Sequence, residues 1–450
     1  MTAKSSTPVP RNRNRWLAAG LVVALGLAAA WWFWPRSDPP PAVSAPLPPL
    51  TTSPFLNTRP GVAYVGDQGC AGCHLDQSKT YRQHPMGRSL FHAADAPPLE
   101  QYDAKAGNPF QAGRFHFQVI RQGPKLIHRE WCQDAKGNVV AELQTDIAYA
   151  IGSGSQARTF LLQRDGFLFE SPITWFTEKS AWHLSPGYEN NLEHFHRRIE
   201  SRCLYCHSQE ARPVAHTINR YQEPPFGQLA IGCERCHGPG ELHVASRRKG
   251  VEPEGEDFTI VNPRKLVASL REAVCEQCHL QGEAIIPRRG RAQEEYRPGL
   301  PLHEYVSVFV RPTEAVDAKR IVGHVEQMHQ SACFQKSGGK FGCISCHDPH
   351  KLPTPEEKVA FYQQRCRNCH AVPPQPPAKG AGVPAPDCSL PQAARLAKDA
   401  RDNCLACHMP RQPSSTASHL AVTDHRVLRA PDRLPKVPLV VARGDLPLVP

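Results

Sequence analysis

The chain has 450 residues, a formal net charge of +11 and 17 cysteines. That length leaves room for two or three ordinary domains. The basic balance would suit nucleic acid or an anionic membrane, so the cysteine pattern has to decide between classes.

The N-terminus opens with a basic segment, residues 1–15, containing Lys4, Arg11, Arg13 and Arg15. It runs into "WLAAGLVVALGLAAAWWFW", residues 16–34, which is uncharged and almost wholly apolar. A span of about 20 such residues crosses a bilayer as a helix. The preceding cations keep the N-terminus in the cytoplasm, and Trp31, Trp32 and Trp34 suit the outer interface. The rival reading is a cleaved signal peptide, with Ala28, Ala29 and Ala30 as its cleavage region. The length of the run and its tryptophans favour an uncleaved anchor. No cysteine lies nearby to make it a lipoprotein. Residues 35–60 are rich in Pro, Ser and Thr and read as a semi-rigid tether.

Beyond the tether, C-x-x-C-H occurs seven times: Cys70/Cys73/His74, Cys203/Cys206/His207, Cys233/Cys236/His237, Cys275/Cys278/His279, Cys343/Cys346/His347, Cys366/Cys369/His370 and Cys404/Cys407/His408. Chance at this composition gives roughly 0.03 copies, and the motif is that of covalent c-type haem attachment. Two thiols bond the two vinyl groups of one haem, and the adjacent histidine ligates its iron. Structural zinc wants paired ligand sets without a His fixed to each Cys pair, and a redox C-x-x-C needs no following His. Seven c-type haems, each about −1 when ferric, bring the charge to about +4 oxidised and about −3 reduced. No nucleic-acid partner is then expected.

Between the first and second motifs, "RFHFQVIRQGPKLIHREW" alternates apolar and polar residues, and Asp165-Gly166 marks a hairpin turn. These features predict a small β-rich insertion over 108–176. From Glu200 to Arg411, six motifs on short helices alternate with Pro and Gly loops. The fold expected over 61–429 is therefore a mainly α or irregular multihaem cytochrome c fold organised around stacked haems. Residues 430–450 read as a Pro-rich extended tail.

Fifteen of the 22 histidines lie outside the motifs. A second His makes a haem iron six-coordinate and suited to electron transfer, whereas an open position binds substrate. His243 follows His237 by six residues and His350 follows His347 by three. Neither easily passes round its own ring, so each is expected on a neighbouring iron. His84 is a candidate beside Met86, as are His419 and His425 beyond the last motif. Among His183, His194 and His196 we favour His194, and of His324 and His329 we favour His324. His92, His116 and His128 read as loop or β-insertion residues. Cys132, Cys333 and Cys388 allow one disulfide and one free thiol.

The stretches "YVGDQGCAGCH", "IGSGSQARTFL", "SPGYENN", "IGCERCHGPGELHV", "VNPRKL", "SACFQKSGGKFGCISCHDPH" and "DNCLACHMPRQPSSTASHLAVTDHRV" resemble bacterial multihaem c-type cytochromes with doubled C-x-x-C-H motifs. These are similar to the cytochrome c-554, pentahaem nitrite reductase and hydroxylamine oxidoreductase superfamily. The resemblance runs from about Gly61 to Arg429. It implies bis-histidine haems in near-parallel and near-perpendicular pairs, with His84, His243, His324, His350, His419 and His425 among the distal ligands. Many relatives continue into tetratricopeptide repeats, which are not expected in this chain. No C-x-x-C-K motif of the nitrite-reductase kind occurs. The functional expectation is a membrane-anchored electron-transfer protein, with its haem domain in the periplasm or outside the cell. Its partners would be redox proteins or a membrane quinol-oxidising complex. The alternative is an oxidoreductase with one five-coordinate haem acting on a small nitrogen or sulfur species.

Overall fold

A computed structural model describes residues 49–280, 282–310, 323–370, 388–411 and 423–429. The chain divides into two compact units, Met1–Pro49 and Leu50–Pro450, and the account below is of the second. The expected membrane anchor, 16–34, lies outside the described residues, as does His419. No helix among the described residues is long and apolar enough to cross a membrane.

Residues 90–198 build two antiparallel sheets. The first consists of β2 (Phe110–Ala112), β3 (Phe115–Gln122), β4 (Lys125–Gln133) and β5 (Val139–Asp146), in that order. The second has seven strands. Its path runs from β1 (Leu90–His92) through β6 (Tyr149–Ile151), β7 (Ala157–Arg164) and β8 (Phe167–Glu170) to β11 (Arg197–Arg198). On it, β9 (Ile173–Phe176) pairs with both β7 and β10 (Ala181–Leu184). β7 and β8 meet at Arg164↔Phe167, with Asp165 (φ 52°) and Gly166 (φ 79°) forming the two-residue turn. Positive φ at both positions suits the right-handed twist of the strands. A core of Phe117, Val119, Leu126, Phe160, Trp175 and Trp182 draws on both sheets. A second core joins Leu161 and Leu168 to Leu204, Tyr221 and Phe226.

Two further hairpins follow: β12 (Glu210–Pro213) with β13 (Tyr221–Gln228), and β14 (Ala284–Pro287) with β15 (Val306–Phe309). The expectation of a mainly α or irregular fold is thus corrected. Among the described residues 29% are helical and 24% lie in strands, with several antiparallel sheets. The strands escaped notice because they are short or carry strand breakers. β13 reads "YQEPPFGQ" and contains Pro224, Pro225 and Gly227. A two-stranded hairpin consists only of edges, where a missing backbone donor costs little.

The helices are short and mostly carry motifs. In order they are α1 (Asp67–Ala71), α2 (Leu75–Tyr81), α3 (Ser201–Tyr205), α4 (Glu234–His237), α5 (Glu241–Arg248) and α6 (Ala268–His279). After these come α7 (His324–Gln330), α8 (Ala332–Lys336), α9 (Cys343–Cys346), α10 (Lys358–His370), α11 (Gln392–Lys398) and α12 (Cys404–His408). No residue of α9, α10, α11 or α12 is buried. This end of the molecule has no ordinary apolar core to hold it.

Glu234, between the two cysteines of the third motif, acts as a clasp. Its carboxylate accepts from the backbone N–H of Val65 (2.9 Å), Gly66 (2.8 Å) and Gly240 (2.7 Å). Burial pushes its pKa up, while these three donors pull it down. Removing the acceptor strands three donors, and bonds to a charged group contribute about 1.5–3 kcal/mol each. Glu234→Ala is expected to lower unfolding stability by roughly 3–5 kcal/mol, read as a shift in denaturation midpoint. A loss below about 1 kcal/mol would show that the clasp holds nothing.

Candidate cofactor site

The Leu50–Pro450 unit encloses a mainly apolar cavity of about 2020 Å³. Ordinary ligand pockets measure about 300–1,000 Å³, so this one has room for more than one large group. Its wall carries the cysteines and histidines of the first five motifs. It also carries five of the other histidines: His84, His243, His324, His350 and His425. The sixth and seventh motifs lie outside it, with only Tyr362 and Met409 reaching the wall from their surroundings.

The structure therefore does not bring all the predicted attachment cysteines to one space. Cys366, Cys369, Cys404 and Cys407 are not in the cavity wall. Cys407 is half-buried on α12, outside the cavity, and its motif partner Cys404 lies beside Cys366 of the sixth motif. The physical reason is that α10 and α12 bury no residue of their own and pack on each other. A haem held by Cys404 and Cys407 would thus belong to a separate outer pair with the haem of Cys366 and Cys369.

Within the cavity, rings from distant parts of the chain face one another. His74 and His243 have ring centres 6.4 Å apart with planes at 23°. His237 and His350 stand 6.0 Å apart at 14°, and His347 and His425 6.3 Å apart at 24°. His279 and His324 are 5.7 Å apart at 81°. Two imidazoles bound end-on to one metal need roughly 6.2 Å between centres: about 2.0 Å for each metal–nitrogen bond and about 1.1 Å from nitrogen to ring centre, the radius of a five-membered ring with bonds of about 1.33 Å. The spacings fit one iron between each pair. His324 and His425 approach to 4.9 Å, which is too close for a shared metal and suits ligands of adjacent ones.

Hydrogen bonds fix several of these rings by one nitrogen. Nδ1 of His237 meets the Val261 carbonyl at 2.8 Å, and Nδ1 of His425 meets that of Thr423 at 2.7 Å. Nδ1 of His408 meets the Leu428 carbonyl at 2.7 Å, and Nδ1 of His243 meets Asp257 at 2.9 Å. An acceptor at Nδ1 keeps the proton there and leaves the Nε2 lone pair for a metal. Burial pushes His324 down to about 3, and His347 down to about 4, with neighbouring imidazoles adding to each shift. Both rings are therefore neutral near pH 7, the form that ligates. These supporting groups, Asp257 and the Val261, Thr423 and Leu428 carbonyls, have no signature in the sequence.

The turn that carries His243 is tightly specified. Asn57 is fully buried and donates from Nδ2 to the carbonyls of His237 (2.8 Å) and Pro239 (3.2 Å). Gly238 has φ 74°, and a Cβ there would lie 2.7 Å from Asn57 Nδ2. Only glycine serves at this position.

The motifs also touch one another. Cysteine side chains of different motifs lie side by side: Cys70 with Cys233, Cys206 with Cys278, Cys275 with Cys343, and Cys366 with Cys404. The residues inside the motifs interlock as well. Tyr205 donates to Gln277 Oε1 (2.7 Å), and Gln277 Nε2 donates to the Arg235 carbonyl (3.1 Å). The Arg235 guanidinium lies 4.4 Å from the Tyr205 ring centre and donates to the Ser208 and Gln209 carbonyls. The second, third and fourth motifs are thereby held at a fixed spacing.

The other candidates are placed as follows. His84 lines the cavity, stacked 5.9 Å from Tyr81. His194 sits beside the sheets, where Nδ1 bonds Glu130 of β4 and the ring meets the edge of Phe115. None of His183, His194 or His196 is in the cavity wall. His329 turns away from the cavity and stacks 4.3 Å from Phe334. His207 and His347 belong to the wall; His370 and His408 lie with the outer motif pair.

These features bring cysteine pairs and facing imidazoles from distant parts of the chain to one mainly apolar cavity. No family model matches the chain. Among solved structures, the chain is similar to the outer cell wall cytochrome OcwA, at 15% identity and a TM-score of 0.42, over 81% of this chain and 79% of that one. A likeness of that degree leaves the assignment to rest on the chain's own residues.

Proposed function

We propose that the protein is a heptahaem c-type cytochrome that transfers electrons along mostly bis-histidine haems. The observation that carries this reading is the set of four ring pairs, each joining a motif histidine to another histidine at the spacing of one iron. Bound haem supplies an iron that cycles between ferric and ferrous states.

The chain's own residues do the rest. Cys70/Cys73, Cys203/Cys206, Cys233/Cys236, Cys275/Cys278, Cys343/Cys346, Cys366/Cys369 and Cys404/Cys407 provide the covalent attachment. His74, His207, His237, His279, His347, His370 and His408 are the proximal ligands. His243 serves the iron of the first motif, His350 that of the third, His324 that of the fourth and His425 that of the fifth. His84 stands in reserve on the same wall. The neighbouring cysteine positions put the first motif beside the third, the second beside the fourth, the fourth beside the fifth and the sixth beside the seventh. α4 packs on α6 and α9 on α10, which closes the two remaining gaps. Continuity of this kind is what electron transfer needs from a scaffold. The apolar run at 16–34 supports tethering to the cytoplasmic membrane, with the cofactor domain on its outer side.

Optical and electron paramagnetic spectra of the purified holoprotein test the function. Low-spin ferric signals throughout, no shift on adding nitrite, hydroxylamine or CO, and reversible reduction over a broad potential range are expected. A high-spin iron that binds one of these small molecules would replace the electron-transfer reading with an enzymatic one.

A further inference from the structure

The sixth and seventh motifs differ from the other five in lying outside the cavity. Cys366 and Cys404 lie side by side, and Cys369 is exposed, as are Cys73 and Cys203 of the first two motifs. Three arginines surround this pair. Arg367 of α10 and Arg395 of α11 both reach Asp402, at 3.8 and 2.8 Å. Arg401 lies 3.8 Å from Asp399. Gln363 of α10 donates to the Asp402 carbonyl (2.9 Å), so α10, α11 and the start of α12 meet at one knot.

The two charge signs are layered there. The Arg367 and Arg401 side chains are 48% and 68% exposed, whereas Asp402 and Asp399 beneath them are 13% and 24% exposed. Lys398 of α11 and Arg411, just past α12, are also exposed. Acidic Glu356 and Glu357 precede α10, about 20 Å along the 13-residue helix from His370 at 1.5 Å per residue.

We propose that this cationic face is the docking surface for an acidic electron-transfer protein, which exchanges electrons at the sixth and seventh motifs. The proposal rests on the functional reading above, because it needs haem at those motifs. Redox partners meet through small, short-lived interfaces, where opposite charge raises the encounter rate rather than the lifetime. A cationic rim around the exposed motif pair steers an anionic partner to the place where transfer occurs. An anionic membrane is the competing occupant, but it presents no redox centre to the motif pair.

The test uses full-length holoprotein and the triple variant Lys398→Glu, Arg401→Glu, Arg411→Glu, with reduced flavodoxin as the acidic one-electron donor. Wild type should be reduced rapidly at low salt and several-fold more slowly at about 0.15 M, where screening shortens to about 8 Å. The variant should react at least tenfold more slowly at low salt, with reduction by dithionite unchanged. Equal flavodoxin rates in both proteins would overturn the proposal, as would tighter sedimentation with anionic vesicles alongside salt-independent flavodoxin rates. Haem content separates the two levels. Seven haems per chain with equal rates reject only the docking surface, whereas five per chain, with the outer motifs empty, reject the functional reading itself.

Discussion

His243→Ala is expected to convert one low-spin iron to high-spin, namely the iron that the proposal places at Cys70, Cys73 and His74. It is not the iron of Cys233, Cys236 and His237, although His243 follows His237 by six residues. α5 carries His243 to within 6.4 Å of His74, and Asp257 holds its Nδ1. Loss of the ring would remove an axial ligand but no attachment cysteine, so the haem content should stay at the proposed seven per chain. The measurement is a new high-spin signal together with binding of one CO per chain. Adding Cys70→Ala and Cys73→Ala should abolish that signal with its haem. Persistence of the signal would assign it to another iron and contradict the pairing. Asp257→Asn keeps the ligand and weakens its support, so it should shift the spectrum of the same haem more mildly.

The second large effect concerns chain that has not received haem. The β-rich region keeps its own apolar cores, which contain buried Trp175, Trp182, Phe117, Phe160, Leu161 and Leu168. The C-terminal region has no comparable source of stability. α10 is 13 residues long, α11 seven and α12 five, and none contains a buried residue. Isolated helices below about 12–15 residues are marginal in water, so burial against haem has to supply the missing driving force. Chain made without haem attachment should therefore be cleaved readily by protease across 323–429, leaving a resistant fragment around 90–228. Its far-ultraviolet dichroism should lose helix and retain strand. Uniform resistance along the chain would show that the helices stand without the cofactor.

What was legible in the sequence follows from the range of each interaction. Covalent attachment is local: two thiols and a histidine must lie within one turn, so each motif is complete in five residues. Where a motif stands in the fold is not local. Nothing in Cys404, Cys407 and His408 distinguishes this copy, outside the cavity, from the five that line it. Axial pairing is equally long-range. The short separation between His237 and His243 argued that they serve different irons, but no sequence feature joins His243 to His74 across 169 residues. Likewise, nothing marks Asp257, or the Val261 carbonyl, as a support for an imidazole. The sheets were under-read for another reason. The region 108–176 alternates clearly, whereas β14 has four residues and β13 contains two prolines, so neither showed the expected period. His194 is not among the residues lining the cavity; it stands beside the sheets, where its Nδ1 meets Glu130.

The most direct measurement is an experimental structure of the haem-loaded protein at a resolution that locates each iron and its axial nitrogens. One iron should lie about 2 Å from nitrogens of both His74 and His243, with corresponding irons between His237 and His350, His279 and His324, and His347 and His425. If His243 instead ligates the iron of its own motif, or points away from every iron, the paired-histidine arrangement and the electron-transfer function drawn from it are contradicted.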